Sequence, residues 1–293
     1  MKASFIIFLA LSSVWSVSPV QGVVAPSSWA VLSCQTSNPM PSRGGSSPLP
    51  TDTVPDAVEE KKPSTSTAAS FRSGSTTIST YSAVLAGMVL CFNSGYINGC
   101  CLKGTIGGIG QASAAVTGAW TISAINAAAG KGAVFRKQIS VLLSYIFGSF
   151  LAGMSNPNPT PFQVSSSVGP TFLLASALLF TAIFRMKESF LLFCLCAIVC
   201  GMQNSITSVH TGNLVRSAHM SGLSSDMGTF LGQALGGNKA NLLKLKTFAL
   251  LGASFWTGGF FSWFVTEQYP GSNCLLPSAV FMGAVGLTLT TMY

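Results

Sequence analysis

Arg216, His219, Ser221 and Asp226 place a cation, a titratable ring, a hydroxyl and a carboxylate within one short part of a strongly apolar chain. Such groups are costly in lipid, so they face a partner helix or an aqueous cavity. On a continuous α-helix Arg216, His219 and Asp226 share an arc of about 80°, with His219 and Asp226 about 10 Å apart along the axis. A stripe carrying both signs can bind an ion or a zwitterion, or pass protons, because imidazole titrates near neutrality. The plainer expectation is that Arg216 snorkels to the membrane edge and Asp226 bonds to a neighbouring helix.

Asn98 and Asn204 offer a different chemistry. A carboxamide donates and accepts at once, and each of these precedes a stretch rich in Gly, Ser or Thr. The pair can hold broken helix ends around a solute, or cap helices and bond across an internal interface. Gln203 stands beside Asn204, and Thr117 and Ser221 occupy matching places further along.

Other constellations fall away. Gly104, Gly107, Gly108 and Gly110 lack the preceding strand and the Lys-Ser/Thr of a phosphate loop, and the spacing of Gly104 and Gly108 suits close helix packing instead. Ser221 near His219 does not make a nucleophile and base, since neighbours on one helix do not converge, and His210 is the other histidine. The cysteines mostly lie in apolar runs, where the side chain acts as a small hydrophobe rather than a metal ligand. No enzymatic centre, cofactor or metal is expected.

What must position these residues is a membrane-embedded array. With 48% hydrophobic and 8% charged residues, the chain cannot cover a soluble globule with polar surface, so its partner is the lipid bilayer. No basic cluster is interleaved with aromatics on a polar domain, which argues against nucleic acid. Apolar segments fall at about 81–98, 105–129, 138–154, 168–184, 189–206, 213–234, 247–266 and 274–291.

These segments form two sets of four. Gly95-Tyr96-Ile97-Asn98 recurs as Gly201-Met202-Gln203-Asn204, and Val116-Thr117-Gly118 recurs as Met220-Ser221-Gly222. The run from Gly148 to Gly153 recurs as Ala253 to Gly258, and Pro170 recurs as Pro277; the offsets are 106, 104, 105 and 107 residues. The expected fold is an all-α polytopic membrane bundle of two tandem repeats, 81–185 and 186–293, with eight membrane segments.

Basic residues favour eight spans over the alternative of six spans plus two broken or re-entrant segments. Eight spans put Lys131, Arg136, Lys137, Arg185, Lys187, Lys239, Lys244 and Lys246 on one side, against Lys103 and Arg216 on the other. Six spans divide the same residues six to four. Positive-inside asymmetry prefers the first split.

Residues 1–22 read as a signal peptide, with Lys2 ahead of a short apolar run. Residues 23–80 are rich in Ser, Thr and Pro and bury too little to order, so they read as a disordered tail or a transit peptide. Signal peptide plus an acid-poor Ser-rich segment resembles the bipartite plastid leaders of algae with secondary plastids. A plastid envelope would also reconcile a lumen-directed leader with eight spans, which start on the basic side. The alternative is a secretory-pathway or plasma membrane.

The Gly-Tyr-Ile-Asn segment followed by Val116-Thr117-Gly118, then Gly201-Met202-Gln203-Asn204-Ser205, Met220-Ser221-Gly222 and Asp226-Met227-Gly228, resembles the YoaK-like family of multi-pass membrane proteins of unknown function. Ala119 replaces the asparagine of the family's first Thr-Gly-Asn, and Ser221 replaces the threonine of its second Thr-Gly. The resemblance implies a membrane topology and no substrate.

From these readings the expected function is transport of a small solute or ion, with a site between the second and sixth segments. Asn98, Thr117, Gln203, Asn204, Arg216, His219, Ser221 and Asp226 are its candidate residues. The alternative is a non-transporting scaffold or assembly factor, and a homo-oligomer is compatible with either.

Overall fold

Helix lengths alone separate two kinds of segment. The computed structural model describes residues 75–292, apart from 105, 109, 187 and 188. The expected signal peptide at 1–22 and most of the expected 23–80 tail lie outside the described residues. The order is β1 (Ser75–Thr77), α1 (Thr80–Leu102), α2 (Val116–Ala128), α3 (Gly132–Ser155), β2 (Gln163–Ser165), α4 (Val168–Arg185), α5 (Phe190–His210), α6 (Met220–Leu235), α7 (Leu242–Gln268) and α8 (Leu276–Met292). A 3-10 turn, Gly271–Leu275, leads into α8.

Local chemistry sets several of these boundaries. Ser79 caps α1 by accepting from the Ser82 amide at 3.0 Å, and Ser189 does the same for α5 through Leu192. Pro170 and Pro277 fall in the first turns of α4 and α8, where a missing N–H is harmless. The short strands pair antiparallel, Ser75 with Ser165 and Thr77 with Gln163. The end of the stretch expected to be a tail is thus tied to the link between α3 and α4.

Among the described residues six helices are long and apolar enough to cross a bilayer: α1, α3, α4, α5, α7 and α8 with its leading turn. The other two, α2 with 13 residues and α6 with 16, rise about 20 and 24 Å, short of the roughly 30 Å of hydrocarbon. Six rather than eight spans also follows from helix direction. Gly169 lies against Thr290, Leu173 against Gly286 and Ser176 against Ala279, so α4 and α8 run antiparallel. Were α6 a full crossing, four crossings would separate their starts and they would run parallel.

The other two main pairs run parallel, as either count requires. Gly99 meets Ser262 and Lys103 meets Glu267, so α1 and α7 run parallel, with Lys103 Nζ also 4.2 Å from the centre of the Trp263 ring. Ser149 bonds to the Gly201 carbonyl, and further along Asn156 and Val209 line one cavity, so α3 and α5 run parallel too. Alternating six helices satisfy all three pairings. The charge split expected eight spans from ten residues, a small sample for that rule, whereas six helices here have the length and apolarity of spans.

Glycines let backbones touch between the paired helices. A Cβ on Gly95 would strike the Phe255 carbonyl, one on Gly258 the Phe92 carbonyl, one on Gly201 the Tyr145 carbonyl and one on Gly148 the Ile198 carbonyl. These contacts match Gly148 with Gly258, a shift of 110 residues, and so correct the expected shift of 105 for this pair of helices. Inside, Ile97, Leu179, Phe193, Met202 and Met282 are fully buried where α1, α4, α5 and α8 meet. Phe150, Trp256 and Trp263 point outward, as a lipid-facing surface requires.

Candidate functional site

Each short helix follows a loop that reaches the middle of a spanning helix. The chain leaves α1, turns through Gly104, Gly107, Gly108 and Gly110, all at positive φ, and runs back along the helix it has just left. These glycines therefore turn a loop, and Gly104 and Gly108 do not pack helices together as their spacing suggests. Asn98 fixes the return: its Oδ1 accepts from Ser113 Oγ at 3.1 Å and from the Ala114 amide at 2.9 Å. Ser113 Oγ also lies 3.6 Å from Cys200 Sγ, at the midpoint of α5. Val116, where α2 starts, is three residues further on.

The second half repeats the device from the other end. Asn204 Oδ1 accepts from the Ala218 amide at 3.0 Å. Val215 packs with Cys91, the midpoint of α1, and against Gly87. Because α1 and α5 run in opposite directions, the loops enter from opposite ends. Neither Ala115 nor His219, the residues preceding α2 and α6, caps its helix with a side chain. The two helix starts thus set amide groups and the positive ends of their dipoles beside the middles of spanning helices.

Gln203 makes the contact between α5 and α1. It is 1% exposed, and its Nε2 donates to the Leu90 carbonyl and to Ser94 Oγ, both at 2.7 Å. Its Oε1 accepts from Asn93 Nδ2 at 2.8 Å, and Asn93 Oδ1 accepts from Ser278 Oγ of α8 at 2.8 Å. This network is satisfied and closed, and it joins three helices.

The charged residues of the sixth segment are arranged differently from expectation. Arg216 and His219 precede the first residue of α6, so they share no helical face with Asp226. All three are exposed, as are Thr117 and Ser221 in the first turns of α2 and α6. The His219 ring folds over Gly222, where a Cβ would overlap it. α2 packs chiefly along α3 and α6 along α7. The geometry brings Asn93, Ser94, Gln203 and Ser278 together, and sets Asn98 and Asn204 on separate loops.

His210 is the residue that sequence reasoning undervalued. It ends α5, is 4% exposed, and its Nδ1 lies 2.7 Å from the Gln163 carbonyl, so Nδ1 carries the proton. Its Nε2 is buried and has no hydrogen-bond partner. With Ser75, Asn158, Thr160, Gln163 and Ser165 it lines a cavity of about 160 Å³. The available signal was a histidine closing an apolar helix ahead of Thr211-Gly212-Asn213. That ring can accept a hydrogen bond from a solute, or a proton.

A family model described as a protein of unknown function (DUF1275) matches residues 86–288, well over half of the chain. No curated protein and no solved structure matches.

Proposed function

The chain belongs to the DUF1275 family, and we propose that it is a carrier of a small solute or ion built from two inverted three-span halves, each with one re-entrant half-helix. The observation that carries this reading is the placement of α2 and α6. They start beside the midpoints of α5 and α1 and enter from opposite ends of the bundle. Irregular backbone at membrane depth is tolerated where it is enclosed by protein or lines a water-filled path. Paired half-helices meeting near mid-depth are a recurrent way to build such a path. The reciprocal glycine contacts support reading the halves as related copies.

In this scheme Asn98 and Asn204 hold the half-helix starts, and Gln203 fixes the α1/α5 contact about which the halves rock. Thr117 and Ser221 line the path at the half-helix starts. Asp226, Arg216 and His219 serve one entrance, as candidates for ion or proton coupling. The chain has no enzymatic role in this reading, and the YoaK-like likeness of its motifs adds no substrate.

The test is flux. Purified protein in liposomes is screened against panels of small neutral, cationic and anionic solutes, alongside Asp226→Asn. Solute entry above empty vesicles supports the carrier, and unchanged flux in Asp226→Asn removes that carboxylate from coupling. Folded protein that moves none of the panel favours a scaffold. The closed Gln203 network and the exposed polar face of α6, a docking surface for other proteins, favour that second reading.

Six spans also bear on location. They start α1 on the side with four basic residues and put six on the other, so a lumen-directed leader no longer conflicts with the charge rule. On this count we propose a secretory-pathway or plasma membrane, with the plastid envelope expected from the leader as the alternative. A reporter fused after residue 80 that matures in the secretory pathway supports this, and one imported into plastids overturns it.

A further inference from the structure

The halves differ chemically at one buried place. In the second half Val215, Leu223 and Leu251 form an apolar cluster with Cys91, and Met227 and Phe248 pack against it. Counterparts in the first half follow from shared contacts. The Asn98–Ala114 and Asn204–Ala218 bonds match the return loops and short helices at a shift of 104 residues, and the Gly148 and Gly258 contacts match α3 with α7 at 110.

By these matches Val215 corresponds to Gln111, Met227 to Ser123 and Phe248 to Gln138, while Leu223 becomes Ala119 and Leu251 becomes Val141. Large apolar side chains have given way to polar or smaller ones. Gln138 is only 6% exposed, and its Oε1 is buried with no hydrogen-bond partner. The Nε2 of Gln111 is likewise buried and unpartnered. One is an acceptor and the other a donor, and their counterparts pack in one cluster.

Buried amide atoms without partners destabilise a fold, and an apolar cluster at the matching place shows that this architecture closes without them. We propose that Gln111 and Gln138 form a binding site for one small uncharged hydroxyl-bearing molecule. A single hydroxyl group accepts from the Gln111 amide and donates to the Gln138 carbonyl. Water and a small polyol share this chemistry. Occupancy stands apart from the carrier reading; only passage of the molecule through the membrane rests on it.

The experiment uses the full chain in micelles, with glycerol as the polyol probe and side-chain ¹⁵N labelling of glutamine. Saturation transfer from protein to glycerol, lost in both Gln138→Leu and Gln111→Val but kept in Phe248→Leu, assigns a polyol site. Without that transfer, a water cross-peak to the Gln111 and Gln138 side-chain amides assigns water. The water measurement needs no variant, so a misfolded substitution does not blunt the test. Absence of both signals in the native protein overturns the proposal. Occupancy without liposome flux sinks the carrier reading alone, whereas flux with an empty pair sinks this one alone.

Discussion

Replacing Gln203 with leucine tests how the two halves are joined. The change removes three hydrogen bonds from α5 to α1: two from Nε2, to Leu90 and Ser94, and one accepted from Asn93. Interhelical bonds in membranes contribute roughly 0.6 kcal/mol each, giving about 2 kcal/mol. Leu90 keeps its helical partner and Ser94 can turn to its own helix, but Asn93 Nδ2 is left buried and unpaired, which costs a further ~1–3 kcal/mol. The expected loss is therefore about 3–5 kcal/mol, read by reversible unfolding in mixed micelles with rising denaturing detergent.

A second substitution separates the orphaned amide from the lost bonds. In Asn93→Leu/Gln203→Leu no amide is stranded, so the double variant should cost less than its two single variants summed, by about 1–2 kcal/mol. A loss under about 1 kcal/mol for Gln203→Leu, with strictly additive singles, would refute the network as a joint between halves. The carrier reading would then lack its pivot.

Other outcomes follow from the same contacts. Asn98→Leu leaves the Ala114 amide without an acceptor, so the loop before α2 should lose hydrogen-exchange protection and stability should fall by about 1–3 kcal/mol. Gly201→Val drives a side chain into the Tyr145 carbonyl, and calorimetry should show a loss of at least ~1–3 kcal/mol. Gly228→Ala, where a Cβ meets open space inside α6, should not lower the unfolding midpoint and should raise stability by up to about 1 kcal/mol through helix propensity, and it serves as the steric control. His210→Phe removes the unpartnered Nε2 and should preserve folding by circular dichroism while abolishing any ligand-induced thermal shift attributable to the cavity beside β1 and β2.

Much of the array was legible because its signals are long. The runs at 168–184 and 189–206 are continuous enough that the helices, Val168–Arg185 and Phe190–His210, begin within a residue of expectation. The second and sixth segments were hard because composition does not record direction. Ala, Gly, Ser and Thr are apolar enough to enter lipid, while the turn at Gly104–Gly110 and the left-handed Asn213 that break these segments leave no charge behind. For the same reason Arg216 and His219 looked like one face with Asp226: the 100° rule assumes a helix that starts only at Met220.

Register failed for a different reason. The stretches 148–153 and 253–258 look alike residue by residue, but the contacting face is set by where glycine permits backbone approach, and that aligns Gly148 with Gly258. β1 and β2 are three residues each, too short for alternation to register. The roles of Asn98 and Asn204 were visible as chemistry, a carboxamide that bonds to backbone, yet their partners sit fourteen to sixteen residues away across a loop whose path only the folded chain reveals.

Sidedness of two loops decides the architecture. Cysteines placed at Lys131, between α2 and α3, and at Lys239, between α6 and α7, are labelled from each face of sealed vesicles with a membrane-impermeant maleimide and mapped by peptide mass. Six spans with two re-entrant half-helices predict labelling from opposite faces. Labelling of both positions from the same face would mean that the short helices cross the membrane, and the inverted arrangement with its paired half-helices would be contradicted.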